Sequence, residues 1–216
     1  MLKKFRDPIS GFTHLIGAFL SFIGLVLLLK LSIYKDSSWA IIAFSIFGIS
    51  LILLYSASST YHIARVSQKV INILRRIDHS MIYILIAGTY TPICLLALKG
   101  TLGITLFTIV WILAFTGVMF KMFWFNCPRV LSTLFYIIMG WLVVFFIVPI
   151  IKAISIKGFV WLLIGGIFYT VGGIIYALKW PKINSKLFGF HEIFHIFVML
   201  GSLCHYYLMV KFVMFL

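Results

Sequence analysis

Seven stretches of this chain carry no Asp, Glu, Lys or Arg: 8–29, 37–64, 79–98, 100–120, 130–151, 158–178 and 193–210. Each is close to or above the ~20 residues that cross a hydrocarbon core. In lipid the backbone must satisfy its own hydrogen bonds, so such runs fold as helices. The pattern predicts an all-α polytopic membrane protein, a seven-transmembrane helix bundle. Allowing for fray, the spans are expected at about 10–31, 38–62, 78–98, 101–122, 130–151, 158–179 and 190–211. They use nearly the whole chain, so residues 1–216 are read as a single transmembrane domain. The first run is too long for a signal peptide and lacks a small-residue cleavage site, so it is expected to be a retained span.

The composition fits lipid as solvent: 63% of the 216 residues are hydrophobic and only 10% are charged. The net charge of +14 would suggest nucleic acid in a soluble chain. Here the basic residues flank apolar runs, where they meet anionic head groups, so nucleic-acid binding is not expected. Cys94, Cys127 and Cys204 offer neither a disulfide framework nor a Cys-x-x-Cys motif.

Connections alternate between the two sides of the membrane. The N-terminal tail and connections two, four and six carry twelve Lys and Arg, including all five arginines. The opposite side carries six lysines: Lys30, Lys35, Lys99, Lys152, Lys157 and Lys211. The positive-inside rule therefore puts the N-terminus in the cytoplasm. Gly165, Gly166, Gly172 and Gly173 in span six are expected to permit close helix approach.

The rare polar groups then fall at one depth. His62 ends span two, Asp78 begins span three, and His191, Glu192 and His195 begin span seven. All five lie at the cytoplasmic ends of their helices. His191 and His195 are four apart, so they project from one helix face and can share a metal ion. Ser58 lies one turn from His62 on the same face. His62, His191 and His195 can supply the three protein ligands typical of a catalytic zinc site. Asp78 could orient a ligand, hold the metal-bound water or act as general base. Ser58 could hydrogen-bond that water or a developing oxyanion.

Glu192 lies about 100° around the helix from His191, near the metal face but off it. It could be a base or pair with a basic residue at the membrane edge. His205 lies roughly 21 Å deeper than His191 and reads as an interhelical hydrogen bond. His14 reads as a packing residue near the site, and His79 as interfacial.

Together these residues resemble the hemolysin III family. The resemblance rests on Ser58-x-x-x-His62, Arg76-Ile77-Asp78 and His191-x-x-x-His195, with the local runs Ser58 to His62, Ala87 to Pro92 and His191 to His205. It covers nearly the whole chain. That family belongs with the progestin and adipoQ receptors, which include the adiponectin receptors, in a superfamily shared with the alkaline ceramidases. The resemblance implies Zn2+ on His62, His191 and His195, Asp78 holding the zinc-bound water, and Ser58 beside it. It also implies lipid amide hydrolysis, with membrane lipids as partners, in a protein integral to a bacterial plasma membrane.

Three functions follow. The first is a zinc-dependent hydrolase of lipid amides or esters, similar to a ceramidase. The second, motivated by resemblance alone, is a pore-forming haemolysin or cytolysin; beside the three stands a metal-stabilised membrane scaffold or sensor. The third is an intramembrane zinc protease, suggested by His191-Glu192-Ile193-Phe194-His195. No later span supplies that protease a third carboxylate ligand.

Overall fold

The computed structural model describes residues 5–98, 100–124, 127–183, 185 and 188–216. Helix α1 spans Pro8–Tyr34, α2 Ser38–Ile63, α3 Gln68–Pro92 and α4 Thr101–Phe123. Then come α5, Arg129–Gly140, α6, Ile147–Leu178, and α7, Phe190–Leu208. Short π-helical turns follow α3 (Ile93–Ala97) and α7 (Met209–Val213), and a 3₁₀ segment, Trp141–Phe146, joins α5 to α6. There is no strand among the described residues. Lys3, Lys4, Lys99 and Lys186, which entered the charge count above, lie outside them.

Among the described residues, six helical stretches are long and apolar enough to cross a membrane. Five are α1, α2, α3 with its π turn, α4, and α7 with its π turn. The sixth runs from Arg129 to Leu178, 50 residues, about twice what one crossing needs. It is broken at Ser155, whose backbone leaves the helical region with φ 66° and ψ 166°. The Ser155 hydroxyl accepts from the Gly158 N–H at 3.5 Å, as an N-cap does at the start of a new helix. The stretch folds back on itself. Arg129 donates to the Tyr176 carbonyl at 3.4 Å, and Trp141 Nε1 to the Thr170 hydroxyl at 2.9 Å. The segments expected as spans five and six are therefore two antiparallel limbs.

One boundary differs from expectation. Helix α3 begins at Gln68, ten residues before the expected start at 78. Lys69, Arg75 and Arg76 end the apolar run but are good helix formers, so the helix continues past the apolar segment. Asp78 therefore sits nearly three turns inside α3 instead of at its first turn.

The helices pack through small residues and are tied by hydroxyls. Helix α1 buries Gly11, His14, Gly17, Gly24, Leu28 and Ser32 on one stripe and exposes Ile16, Phe19, Leu20 and Phe22. Small residues on such a stripe let backbones approach closely. Tyr206 donates to the Gly24 carbonyl at 3.2 Å, which closes α7 against α1. Tyr55 of α2 donates to Ser202 of α7 at 2.7 Å, and Tyr169 of α6 lies 2.9 Å from the same hydroxyl. In α6, a Cβ at Gly165 would overlap the His205 ring, and one at Gly172 would sit 2.9 Å from the Phe197 Cβ. Gly173 faces Thr133 of α5. Gly166 has no neighbour to meet and lines a cavity, so only three of the four glycines serve close approach.

Candidate metal centre

His62 occupies the last turn of α2, and His191 and His195 the first two turns of α7. Helix α1 packs against both α2 and α7, and Tyr55 of α2 reaches Ser202 of α7, so the cytoplasm-expected ends of α2 and α7 converge. One ligand atom from each of the three imidazoles lies within 4.8 Å of the other two. Nε2 of His62 and Nε2 of His191 are 3.1 Å apart. His62 and His195 are buried, and His191 is partly so.

The segment before α1 completes the surroundings of His62. The Asp7 N–H donates to the His62 carbonyl at 2.9 Å, and His62 Nδ1 lies 3.2 Å from Asp7 Oδ2. A carboxylate only accepts, so Nδ1 carries the proton and Nε2 keeps its lone pair for the centre. Asp7 is the N-cap of α1, yet its carboxyl caps no backbone N–H; Pro8 follows at the first helical position. Its hydrogen bond with His62, and Arg6 at 3.0 Å, hold the Asp7 carboxyl below the usual carboxylate range. Arg6 stacks on Tyr61 at 4.1 Å. Arg65 donates to the Phe5 carbonyl at 3.2 Å, so residues 5–7 are stitched to the end of α2.

These residues fit a metal ion. A tetrahedral site with metal–nitrogen bonds of about 2.0–2.1 Å places ligand nitrogens about 3.3 Å apart, close to the His62–His191 separation. Nδ1 of His195 is buried without a hydrogen-bond partner, an orphaned atom that a coordination bond would satisfy. The donor set is three imidazoles, backed by a carboxylate on one of them, as metal-ligating histidines commonly are.

The centre opens onto a cavity of about 470 Å³. His191, His195, Asp78 and Ser58 line one end of it. Ser58 and Asp78 interact side chain to side chain. From there the cavity follows one face of α3, past Ile82, Leu85, Ile86, Thr89 and Tyr90 to Ile93, against Leu162 and Val198. Most of its wall surface is apolar, with polar and charged side chains set into it, the character of a small-molecule site.

A family profile described as Haemolysin-III related matches residues 2–206. The chain belongs to the haemolysin III family. The Hemolysin-3 homolog of Bacillus subtilis (strain 168) is 46% identical over 193 residues, 89% of this chain and 87% of that protein. Hemolysin-3 of Bacillus cereus is 42% identical, covering 89% and 85%. The human Monocyte to macrophage differentiation factor is more distant, at 27% identity over 218 residues, 96% of this chain and 84% of that protein. The haemolysin III membership and the six apolar helices make this a multi-pass integral membrane protein.

The other polar residues of this haemolysin III protein match the sequence reading only in part. Glu192 is not on the centre and makes no ion pair among the described residues. Its Oε2 accepts from the Gly189 N–H at 2.8 Å, and its Oε1 from the Ser10 hydroxyl at 2.6 Å. It caps α7 at the third helical position and ties it to α1. His205 makes the expected interhelical bond, its Nε2 lying 3.2 Å from the Leu162 carbonyl. His14 packs, as expected, but against the centre itself. Its ring is stacked on His195 at 3.6 Å and 10°. His79, expected at the interface, lines the cavity, 3.5 Å from the Tyr176 hydroxyl. Asp7 is the residue that sequence reasoning missed. Its signal was the spacing Asp7, Ser10, His14, one face of the first two turns of α1.

Proposed function

We propose that this protein is a zinc-dependent membrane hydrolase of lipid amides or esters. The observation that carries this reading is the convergence of three imidazoles at the end of an apolar cavity that Asp78 and Ser58 also line. His62, His191 and His195 would hold the zinc. When bound, zinc supplies Lewis-acid activation of water and of a carbonyl. The cavity, about 470 Å³, has room for an acyl chain. Asp78, within the cavity beside the histidines, takes the proton that the attacking water gives up. Ser58 donates its hydroxyl proton to the Asp78 carboxylate and orients it; once Asp78 has taken the water proton, that hydroxyl is free to donate to a developing oxyanion. Asp7 keeps His62 in the tautomer that presents Nε2.

The proposed setting is a bacterial plasma membrane, crossed seven times with the N-terminus in the cytoplasm. The α5 and α6 limbs then count as two crossings and the centre lies near the cytoplasmic face. A cysteine-accessibility map that placed Lys69 outside would overturn this orientation.

Elemental analysis of the purified protein tests the zinc. About one zinc per chain is expected, with none in the His191→Ala, His195→Ala double variant. Loaded protein is then expected to cleave members of a panel of lipid amides and esters. Metal without cleavage would reduce the centre to a structural or sensing role. The names of the Bacillus relatives favour a second reading, a membrane-active haemolysin. Leakage from liposomes that survives His191→Ala would favour it over the hydrolase.

A further inference from the structure

The cavity has a charged mouth as well as a metal-binding end. Arg75, Lys121, Arg129 and Lys179 line it, against one carboxylate, Asp78. The other acids are spent elsewhere: Asp7 on His62 and Arg6, Glu192 on Ser10 and the α7 backbone, and Asp36 at the α1–α2 turn.

Lys121 decides what this excess of positive charge means. Cations at the ends of membrane helices ordinarily extend into the head-group layer. Lys121 does not, being only 6% exposed in the last turn of α4. Its ammonium donates to the Ser132 hydroxyl, a neutral group that itself lies 3.4 Å from Cys127 Sγ. A buried ammonium without a counter-charge is costly, and a single hydroxyl does not offset it. Arg129 stands nearby across the α4–α5 connection. Its guanidinium lies 4.6 Å above Tyr176, whose ring is 5.9 Å from His191. This links the cationic mouth to the candidate centre.

Below the mouth, the apolar wall runs along α3 from Asp78 to Ile93, fifteen residues or about 22 Å of helix. That depth suits an extended acyl chain.

We propose that Lys121 and Arg129 form an anion-binding mouth for the carboxylate or phosphate head of a single-chain amphiphile, whose tail occupies the cavity. This names the ligand class, as substrate or as released acid, for the site read above as a hydrolase. The binding itself does not depend on metal or turnover.

The test uses full-length protein in detergent, stripped of metal with chelator so that no carboxylate can bind through an ion. Tritiated oleate is the probe, with oleoyl lysophosphatidate, oleyl alcohol and inorganic phosphate as competitors. Oleate and the lysophosphatidate are expected to bind at least roughly tenfold more tightly than oleyl alcohol. Lys121→Gln is expected to weaken oleate by about tenfold and leave oleyl alcohol unchanged, while Lys121→Arg keeps most of the affinity. Equal binding of oleate and oleyl alcohol to the wild type would overturn the proposal. Undiminished oleate binding by Lys121→Gln would do the same. Phosphate competing as well as oleate would show a free-anion site and overturn the amphiphile. If Lys121→Gln fails to fold, the head-group comparison on wild type decides alone. A loaded protein that cleaves no lipid would sink the hydrolase reading and leave these ratios untouched.

Discussion

Asp7 and His62, 55 residues apart, are joined twice: the Asp7 N–H donates to the His62 carbonyl, and the His62 Nδ1–H to the Asp7 carboxylate at 3.2 Å. The opposite edge of the same imidazole faces His191. One carboxylate thereby sets both the position and the tautomer of a candidate ligand. Anchoring by the backbone as well as the side chain makes the arrangement stiff, and a metal site gains from ligands that are already in place.

Replacing that carboxylate should weaken the centre without dismantling it. Asp7→Asn keeps the shape and the backbone bond but offers only a neutral acceptor. Zinc affinity, measured by competition with a chromophoric chelator, is expected to fall by about 10- to 100-fold. An Asp7→Asn protein that holds zinc as tightly as the wild type would reduce Asp7 to a tether of the N-terminal segment.

Metal should also stabilise the fold, because the centre bridges α2 and α7. A ligand at 100 times its dissociation constant adds about 2.7 kcal/mol, roughly 5–10 °C in Tm for a chain of this length. Chelation is therefore expected to lower the Tm of the wild type by that amount. It should leave the Tm of His62→Ala unchanged. A chelator-insensitive wild type would argue against any metal joining the two helices.

Glu192 separates a capping role from a catalytic one. Glu192→Ala removes the α7 cap and the bond from Ser10, and is expected to lower stability by about 1–3 kcal/mol. Zinc content should remain that of the wild type. Unchanged stability, with a large loss of any lipid hydrolysis, would instead assign Glu192 the base role suggested by the His-Glu-x-x-His spacing.

Gly165 and His205 make a coupled pair. A methyl group at Gly165 would displace the His205 ring from the Leu162 carbonyl. Gly165→Ala is expected to lower stability by about 1–3 kcal/mol. Combined with His205→Ala, which opens the space, the loss should be smaller than the two single losses added together, a difference a double-mutant cycle measures. Additive losses would show that the two residues do not touch.

Local features of the sequence determined the helices and the three histidines. Uncharged runs mark the apolar spans because lipid admits few other patterns, and four-residue spacing puts His191 and His195 on one face by helix geometry alone. The alternation of spans put His62 at the same depth as that pair, and the family motifs agreed. What the residues could not reveal was how each polar group would be used once helices met. Glu192 has the position of a zinc-protease base, yet it caps α7, because Ser10 and the Gly189 N–H reach it first. Asp7 stands where a helix-capping carboxylate is ordinary and is drawn to His62 instead. Lys121 has the sequence context of a juxtamembrane anchor and is buried in a cavity wall. Helix α3 runs ten residues past its apolar segment, and Ser155 turns one long stretch into two limbs. Spacing along one helix is a local property, which the chain carries by itself. Which side chain meets which across helices depends on packing between residues far apart in sequence, and only the tertiary structure decides that.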